Sequence, residues 1–170
     1  PLADPVNGVF SNRTRSEADY APGKATDGDL NTRFASSEGP GAFPVYLLVD
    51  LGVDRPINEA VIYWENQIGL EYKVQCMMGA YNPEFDDWDT VGTTVYSTWC
   101  GNGGYRLDLW RLVDPIKFDT QTARYWRIIV NRGYSLMSVW EFELCDPTPI
   151  IPQSNQIGEV KALPDSTLVN

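Results

Sequence analysis

Apolar residues along this chain mostly recur at every second position or in short runs, and turn-forming residues interrupt them about every ten residues. Alternation with a period of two is typical of a half-buried β-strand, and no long stretch has convincing helical spacing. The pattern predicts strands at Val45 to Leu51, Ile57 to Trp64, Tyr72 to Met77, Trp88 to Val95, Tyr105 to Val113, Ala123 to Val130 and Val139 to Leu144.

The last of these strands illustrates the alternation. Trp140, Phe142 and Leu144 share one face of the pleat, and Glu141 and Glu143 share the other. Such strands, joined by Gly- and Asn-containing turns, are typical of two packed antiparallel sheets with functional loops at the ends of the sandwich. Tryptophans within strand patterns are predicted to be core residues: Trp64, Trp88, Trp110, Trp126 and Trp140.

The composition changes after Cys145. Residues 147–170 include prolines but no aromatic residue, and the segment is too short to hold a core of its own. We therefore predict one globular domain over residues 1–146. Residues 147–170 are predicted to be a proline-containing linker towards another module, or a tail that lies on this one.

Charge and composition narrow the function classes. The chain has 13 Lys and Arg against 23 Asp and Glu, a net charge of −10 at pH 7. Because phosphates are bound by clustered cations, we expect no nucleic-acid partner, and an acidic lipid surface is disfavoured. The chain has no histidine, which excludes Ser-His-Asp and Cys-His nucleophiles and His-rich metal sites. Carboxylate chemistry and oxygen-lined cation sites remain, and we favour a binding protein over an enzyme.

Three cysteines lack metal-ligand spacing and allow at most one disulfide. We favour a bond between Cys76 and Cys100, because each closes a predicted strand or its loop. The alternative is that these two and Cys145 are buried reduced thiols. A glycosylation sequon at Asn12 supports a secreted, extracellular protein, and no apolar run approaches the ~20 residues of a membrane span.

The segment from Lys24 to Glu38 is the most informative part of the chain. Oxygen-bearing side chains cluster there around Gly28, at Asp27, Asp29, Asn31 and Thr32. A tight loop of this composition can fold carboxylates and carbonyls around a hard cation, and Ca²⁺ prefers about six to eight oxygens. Without such an ion, an Asp-Gly-Asp sequence is a plain turn.

Four sequence blocks together resemble one domain family. They are Ala25-x-Asp27-Gly28-Asp29-x-x-Thr32-Arg33, Leu48-Val49-Asp50-Leu51-Gly52, Tyr125-Trp126-Arg127-Ile128 and Trp140-Glu141-Phe142-Glu143. Their order and spacing resemble the discoidin, or coagulation factor V/VIII C-type, domains, which include the family 32 carbohydrate-binding modules. The resemblance covers roughly residues 5 to 145. It implies an eight-stranded antiparallel jelly-roll β-sandwich with one structural calcium ion and a shallow sugar site on the end loops.

The same resemblance implies a set of calcium ligands. They are the backbone carbonyls of Lys24, Asp29 and Trp140, the side chains of Asp27 and Glu141, and an oxygen of Thr32. Two carboxylates balance the charge of the ion, and neutral oxygens complete its coordination. The ion would join the early loop to the last strand, so its expected role is stability and not catalysis.

A narrower resemblance indicates the ligand. Ser16-Glu17, the run from Arg33 to Gly39, Trp64-Glu65 and the run from Gly133 to Leu136 resemble the family 32 modules attached to chitosanases and β-glucanases. In that subset, the positions that match Glu17, Arg33, Glu38, Glu65 and Tyr134 line the sugar pocket. Carboxylates accept hydrogen bonds from vicinal hydroxyls or pair with an ammonium, and a tyrosine offers its face to a pyranose ring. Without this resemblance, each of these three glutamates would be interpreted as a solvated surface charge.

We therefore predict a non-catalytic carbohydrate-binding module that targets a secreted glycoside hydrolase or a surface protein to a polysaccharide. The expected polymer is a β-glucan or contains glucosamine, and the module is expected to be tethered to further domains. Many galactose-binding members of the family use a histidine, so its absence here disfavours galactosides and fucosides. The alternative is an adhesion or protein-recognition discoidin domain. Apart from Arg33 and Arg132, the end loops are acidic or neutral, which disfavours a membrane.

Overall fold

The computed structural model describes residues 8–39, 41–65, 69–77, 88–95, 105–106 and 112–147, and of residues 90–95 and 105–106 the backbone only. Within these ranges, eight strands and two 3-10 helices occur in chain order: β1 (Val9–Ser11), η1 (Ala18–Tyr20), η2 (Pro22–Ala25), β2 (Phe34–Ala35), β3 (Val45–Trp64), β4 (Gly69–Met77), β5 (Asp89–Val95), β6 (Tyr105–Arg106), β7 (Leu112–Gly133) and β8 (Ser138–Cys145). In this part of the chain, no helix is long and apolar enough to cross a membrane.

Two long strands, β3 and β7, pair antiparallel along most of their length and belong to both layers of the molecule. In the first layer, the beginning of β3 pairs with β1 and with the end of β7, and β4 and β5 follow. In the second layer, the end of β3 pairs with β8 and with the beginning of β7, and β2 and β6 form the edges. The predicted all-β antiparallel sandwich is thus confirmed.

The predicted break between Val45–Leu51 and Ile57–Trp64 is wrong, because both segments belong to the single strand β3. The chain bends at this point without leaving the sheet, and the register of β3 with β7 shifts between Asp50 and Arg55. Gly52 lies within the bend with a φ of 77°, which glycine adopts without strain. A bend of this kind contains the same turn-forming residues as a loop at the end of a strand. The sequence pattern therefore cannot distinguish a bend within a strand from the end of a strand.

Strand bounds elsewhere differ in related ways. The predicted strand Tyr105 to Val113 is divided between β6 and the beginning of β7, and β7 continues through the predicted start at Ala123. The prediction missed β1 and β2 because strands of three and two residues are too short to show an alternating pattern.

The core between the layers is aromatic and aliphatic. Trp64 and Trp126 are fully buried, as predicted, together with Phe34, Tyr72 and Phe142. The Trp64 ring meets Tyr72 edge-on, with 5.1 Å between the ring centroids. Burial of large apolar side chains of this kind is the main source of the stability of such a domain.

Two other tryptophans were wrongly predicted to be core residues. Trp88 and Trp140 are only half-buried, and each ring lies beneath a guanidinium. The Arg127 Cζ atom is 4.0 Å from the centroid of Trp88, and the Arg33 Cζ atom is 5.6 Å from the centroid of Trp140. Trp110 lies outside the described residues.

Cys76 is buried and Cys145 is half-buried, and both carry free thiols. The favoured disulfide between Cys76 and Cys100 is therefore not formed, and Cys100 itself lies outside the described residues. Burial, with a smaller contribution from Asp89, raises the pKa of the Cys76 thiol to about 11. The thiol is thus protonated at neutral pH and packs as a small apolar side chain. The predicted linker or tail is described only at residue 147.

Candidate functional site

One end of the sandwich brings together the end of β3, the start of β8 and the chain after β2. The Glu65 N–H, just beyond β3, donates a hydrogen bond of 3.1 Å to the carbonyl of Ser138. Ser36 is bonded twice to Met137: its N–H donates to the Met137 carbonyl at 2.8 Å, and its Oγ accepts from the Met137 N–H at 2.9 Å. Strand ends that are fastened in this way form a rigid frame for side chains.

Arg33 lies at the centre of this end. Its Cζ atom lies 4.8 Å from the centroid of the Tyr20 ring, in addition to its contact with Trp140. Its Nη1 atom donates a hydrogen bond of 2.7 Å to Ser138 Oγ and lies 3.8 Å from Glu65 Oε2. Arg33 is therefore held by two aromatic rings, a buried hydroxyl and a carboxylate.

Arg15 connects the other two predicted glutamates to the same region. Its Nε atom lies 3.6 Å from Glu17 Oε2, and its Nη1 atom lies 3.7 Å from Glu38 Oε1. Its Cζ atom is 5.2 Å from the centroid of the Tyr20 ring, on which Arg33 also packs. Both of these glutamate side chains are more than half exposed. We refer to Glu17, Glu38, Glu65, Arg15, Arg33 and Tyr20 as the acidic end cluster.

Sequence reasoning missed Arg15 and Tyr20. Arg15 directly precedes the Ser16-Glu17 pair, but its position in the sequence did not distinguish it from the other arginines of the chain. Tyr20 lies in η1, where an isolated aromatic residue in a short helix gives no periodic signal. Their role becomes visible only when the loop between β1 and β2 is folded against β8.

Tyr134 belongs to the loop between β7 and β8 and is 66% exposed. Its loop is fastened to the chain after β2 by the hydrogen bonds between Met137 and Ser36. Gly133, just before it, has the ring of Phe43 against its backbone, and a Cβ atom there would lie 2.4 Å from Phe43 Cζ. The structure thus places Tyr134 at the same end of the sandwich, although no hydrogen bond, ion pair or ring contact joins it to the described residues of the acidic end cluster.

The predicted calcium residues lie in η2 (Lys24), on the loop between η2 and β2, and on β8. The Asp27 carboxylate accepts hydrogen bonds from Thr32 Oγ1 at 2.9 and 2.7 Å and from the Asp29 N–H at 3.0 Å. Gly28, with a φ of 75°, directs its N–H to Glu141 Oε2 at 3.2 Å. The early loop and the last strand therefore meet at these residues.

Glu141 departs from the predicted alternation on β8, because it is buried at 1% exposure beneath the early loop. Its Oε1 atom has no hydrogen-bond partner among the residues that the structure describes. Burial raises the pKa of this carboxyl to about 7; the Gly28 N–H lowers it, and the neighbouring charge of Asp27 raises it. A buried carboxylate oxygen without a partner is costly unless a cation or a donor meets it.

Apart from the carboxylates of Asp27 and Glu141, the predicted calcium ligands are carbonyl and hydroxyl oxygens. Within the described part of the chain, no three Asp, Glu, His or Cys side chains come together as a metal site. A cation bound between Asp27 and Glu141 would therefore depend on carbonyl and hydroxyl oxygens, which suits Ca²⁺ better than a transition metal. The Lys24 Nζ atom lies 3.4 Å from Asp27 Oδ2 and partly neutralises that carboxylate.

Comparison with known proteins identifies the family. Residues 10–142 match the family model of the F5/8 type C domain. The chain belongs to the F5/8 type C, or discoidin, family. The resemblance based on the four sequence blocks is thereby confirmed. No curated protein matches the chain.

Solved structures of the same fold include two modules of a chitosanase/glucanase from Paenibacillus sp. IK-5. Its chitosan-binding module 1 is 28% identical over 85% of this chain and 97% of that one, with a TM-score of 0.67. Its chitosan-binding module 2, solved in complex with chitotriose, is 25% identical over 85% of this chain and 98% of that one, with a TM-score of 0.68. The family 32 module of C. perfringens NanJ, solved with galactose, is 19% identical over 80% of this chain and 90% of that one, with a TM-score of 0.61, and shows the likeness of fold alone.

Proposed function

We propose that this F5/8 type C domain is a non-catalytic carbohydrate-binding module for a β-glucan or a glucosamine-containing polysaccharide. The observation that carries the proposal is the acidic end cluster, in which Glu17, Glu38 and Glu65 converge around two arginines at a rigid end of the sandwich. Family membership and the likeness to chitosan-binding modules support the same function.

The charges of the acidic end cluster suit a sugar with hydroxyl or ammonium groups. Three carboxylates outnumber two guanidiniums, so the cluster favours a cationic or neutral ligand over an anionic one. The exposed carboxylates of Glu17 and Glu38 can accept hydrogen bonds from vicinal hydroxyls or pair with the ammonium of an amino sugar. The donors of Arg33 can reach ring or hydroxyl oxygens of the same ligand.

Tyr134 supplies the apolar part of the proposed site. A pyranose has one face of C–H bonds, which packs on an aromatic ring, and the Tyr134 ring is exposed for this contact. The ring of Tyr20 is already packed against two guanidiniums. We therefore assign sugar stacking to Tyr134 and a supporting role to Tyr20.

We also propose that the domain binds one structural calcium ion. Its ligands would be the carbonyls of Lys24, Asp29 and Trp140, the carboxylates of Asp27 and Glu141, and an oxygen of Thr32. The support is the buried Glu141 Oε1 atom, which lacks a partner among the described residues. A cation would satisfy this oxygen and hold the early loop on β8.

In the proposed role, the module is part of a secreted or surface protein and keeps its partner domains close to a polysaccharide. A shallow site on exposed side chains gives modest affinity, because the sugar hydroxyls give up good hydrogen bonds to water. Weak binding is enough when the ligand repeats, since tethering raises the local concentration of the attached domain.

Binding to insoluble chitosan and to an insoluble β-1,3-glucan tests this function. Glu17→Gln and Glu38→Gln remove one charge each at the proposed site, and Glu59→Gln is the matched control. Glu59 is five residues before Trp64 on β3 and pairs with Lys117 at 4.0 Å. Loss of a charge-assisted hydrogen bond is worth about 1.5–3 kcal/mol, so we expect roughly 10- to 100-fold weaker binding for the site variants only.

Two results would contradict the proposal. Equal binding by all three variants would move the sugar site away from the acidic end cluster. If the folded wild-type domain binds neither polymer, the protein-recognition function that some discoidin domains serve becomes the better hypothesis.

A further inference from the structure

The two arginines of the acidic end cluster are held very differently. Arg33 is fixed by the buried Ser138 hydroxyl and by the rings of Tyr20 and Trp140. The Arg15 guanidinium lies over the Tyr20 ring and pairs with two exposed carboxylates, and it has no hydrogen bond to a buried side chain among the described residues. Its distances of 3.6 and 3.7 Å to Glu17 and Glu38 are those of loose ion pairs and too long for hydrogen bonds.

Arg15 occupies the position at which a cationic group of a ligand would bind the exposed carboxylates. It is the guanidinium that lies between Glu17 and Glu38, and these are the most exposed carboxylates of the cluster. If the ammonium of a glucosamine unit pairs with Glu17 or Glu38, it must either share that carboxylate with Arg15 or displace the Arg15 guanidinium. A neutral glucose unit meets no such competition, because its hydroxyls can donate to carboxylate lone pairs that a loose ion pair leaves open.

We propose that Arg15 is a specificity-determining residue, an internal counter-ion that competes with cationic sugars for Glu17 and Glu38. This inference rests on the proposed function. In this arrangement, Arg15 lowers the preference for glucosamine and keeps the site available to neutral glucan. Exposed ion pairs are individually weak, so the guanidinium can be displaced and the expected effect is moderate.

Substitution of Arg15 tests the competition. Arg15→Gln removes the counter-ion and leaves a shorter, neutral polar side chain, and Arg13→Gln is the matched control. Arg13 lies two residues earlier in the same loop and has no ion pair with the glutamates among the described contacts. Arg15→Lys, which keeps the charge but loses the planar fork between two carboxylates, serves as a second variant.

The ligands are the trisaccharides of glucosamine and of N-acetylglucosamine, which differ in charge at each sugar, and laminaritriose as a neutral glucan. We expect calorimetry to give about three- to tenfold tighter binding of the glucosamine trimer by Arg15→Gln, with a smaller gain for Arg15→Lys. This gain in affinity should shrink as the salt concentration is raised from about 20 to about 300 mM, because salt screens the attraction between the freed carboxylates and the ammonium groups of the sugar. Arg13→Gln should match the wild type, and neutral trimers should gain nothing.

Each other result has a distinct meaning. If Arg15→Gln and Arg13→Gln bind the glucosamine trimer alike while the wild type also binds it, the role of Arg15 is wrong and the proposed function stands. Weaker binding of all trimers by folded Arg15→Gln would show that Arg15 contacts the sugar directly, which also overturns the inference. If no form of the folded protein binds any trimer, the proposed function fails and the role of Arg15 fails with it.

Discussion

Arg33 donates a hydrogen bond of 2.7 Å to the hydroxyl of Ser138, the first residue of β8. Residues next to this bond belong to the other candidate site: Thr32 bonds to the Asp27 carboxylate, and Glu141 follows Trp140, whose ring packs on Arg33. The proposed sugar and calcium sites therefore share two short segments of chain. A substitution in one of these segments is expected to affect ligand binding at both sites.

Ser138→Ala removes the hydroxyl that fixes Arg33. Ser138 is fully buried and also donates to the Phe34 carbonyl at 3.3 Å, so its loss should destabilise the domain by about 1 kcal/mol. We expect a severalfold loss of oligosaccharide affinity as Arg33 becomes mobile. Thermal melting and calorimetry measure the two effects, and unchanged affinity in a destabilised variant would show that Arg33 does not need this bond.

Calcium removal should destabilise the domain. A ligand present at 100 times its Kd stabilises the folded state by about 2.7 kcal/mol, which corresponds to roughly 5–10 °C in Tm for a domain of this size. We therefore expect a chelator to lower the Tm of the wild type and of Glu143→Gln, but not that of Glu141→Gln. A wild-type Tm that is unchanged after full removal of metal would refute the calcium site.

Tyr134→Ala should weaken sugar binding without changing stability. The ring is exposed and contributes little to the core, whereas its proposed stacking on a pyranose is worth about 1 kcal/mol or more. A loss of about fivefold or more in affinity is expected, with retention of binding in Tyr134→Phe. If Tyr134→Ala binds as well as the wild type, the ring is not part of the site.

The ion pair between Asp50 and Arg124 gives the domain a defined acid sensitivity. Arg124 donates to both carboxylate oxygens, at 2.6 and 2.9 Å, and this contact, with the Gly52 N–H, lowers the pKa of Asp50 below its ordinary 3.8. A carboxyl whose folded-state pKa is depressed stabilises the fold above its unfolded-state pKa, and this contribution is lost as the pH falls through the folded-state value.

Asp50→Asn tests this linkage. The variant should melt below the wild type at pH 7, and the difference in Tm should shrink progressively below about pH 4. Because the pair is partly exposed, the shift is expected to be modest. A difference in Tm that is constant from pH 7 to pH 2.5 would mean that the charge of Asp50 is not the cause.

The sequence predicted the sandwich because strand alternation and the family blocks are local signals. The structure places the three glutamates and Arg33 of the predicted sugar site at one end of that sandwich. Alternation alone did not predict the burial of Glu141, since it assigns a side chain to a face of the strand and cannot tell that a distant loop covers that face. Only the family resemblance implied that the early loop meets the last strand at this residue. Arg15 was missed for a similar reason. Its partners Glu17, Tyr20 and Glu38 meet it only after the long connection to β2 is folded.

Calorimetric titration of the wild-type domain in a buffer that contains calcium tests the central claim most directly. The ligands are oligomers of glucosamine, laminari-oligosaccharides, cello-oligosaccharides and galactosides, each titrated also into Glu38→Gln. We predict binding of the glucosamine or laminari series that Glu38→Gln greatly weakens, and none of the galactosides. The absence of heat from every sugar, with a domain shown to be folded, would contradict the assignment of the acidic end cluster as a carbohydrate site.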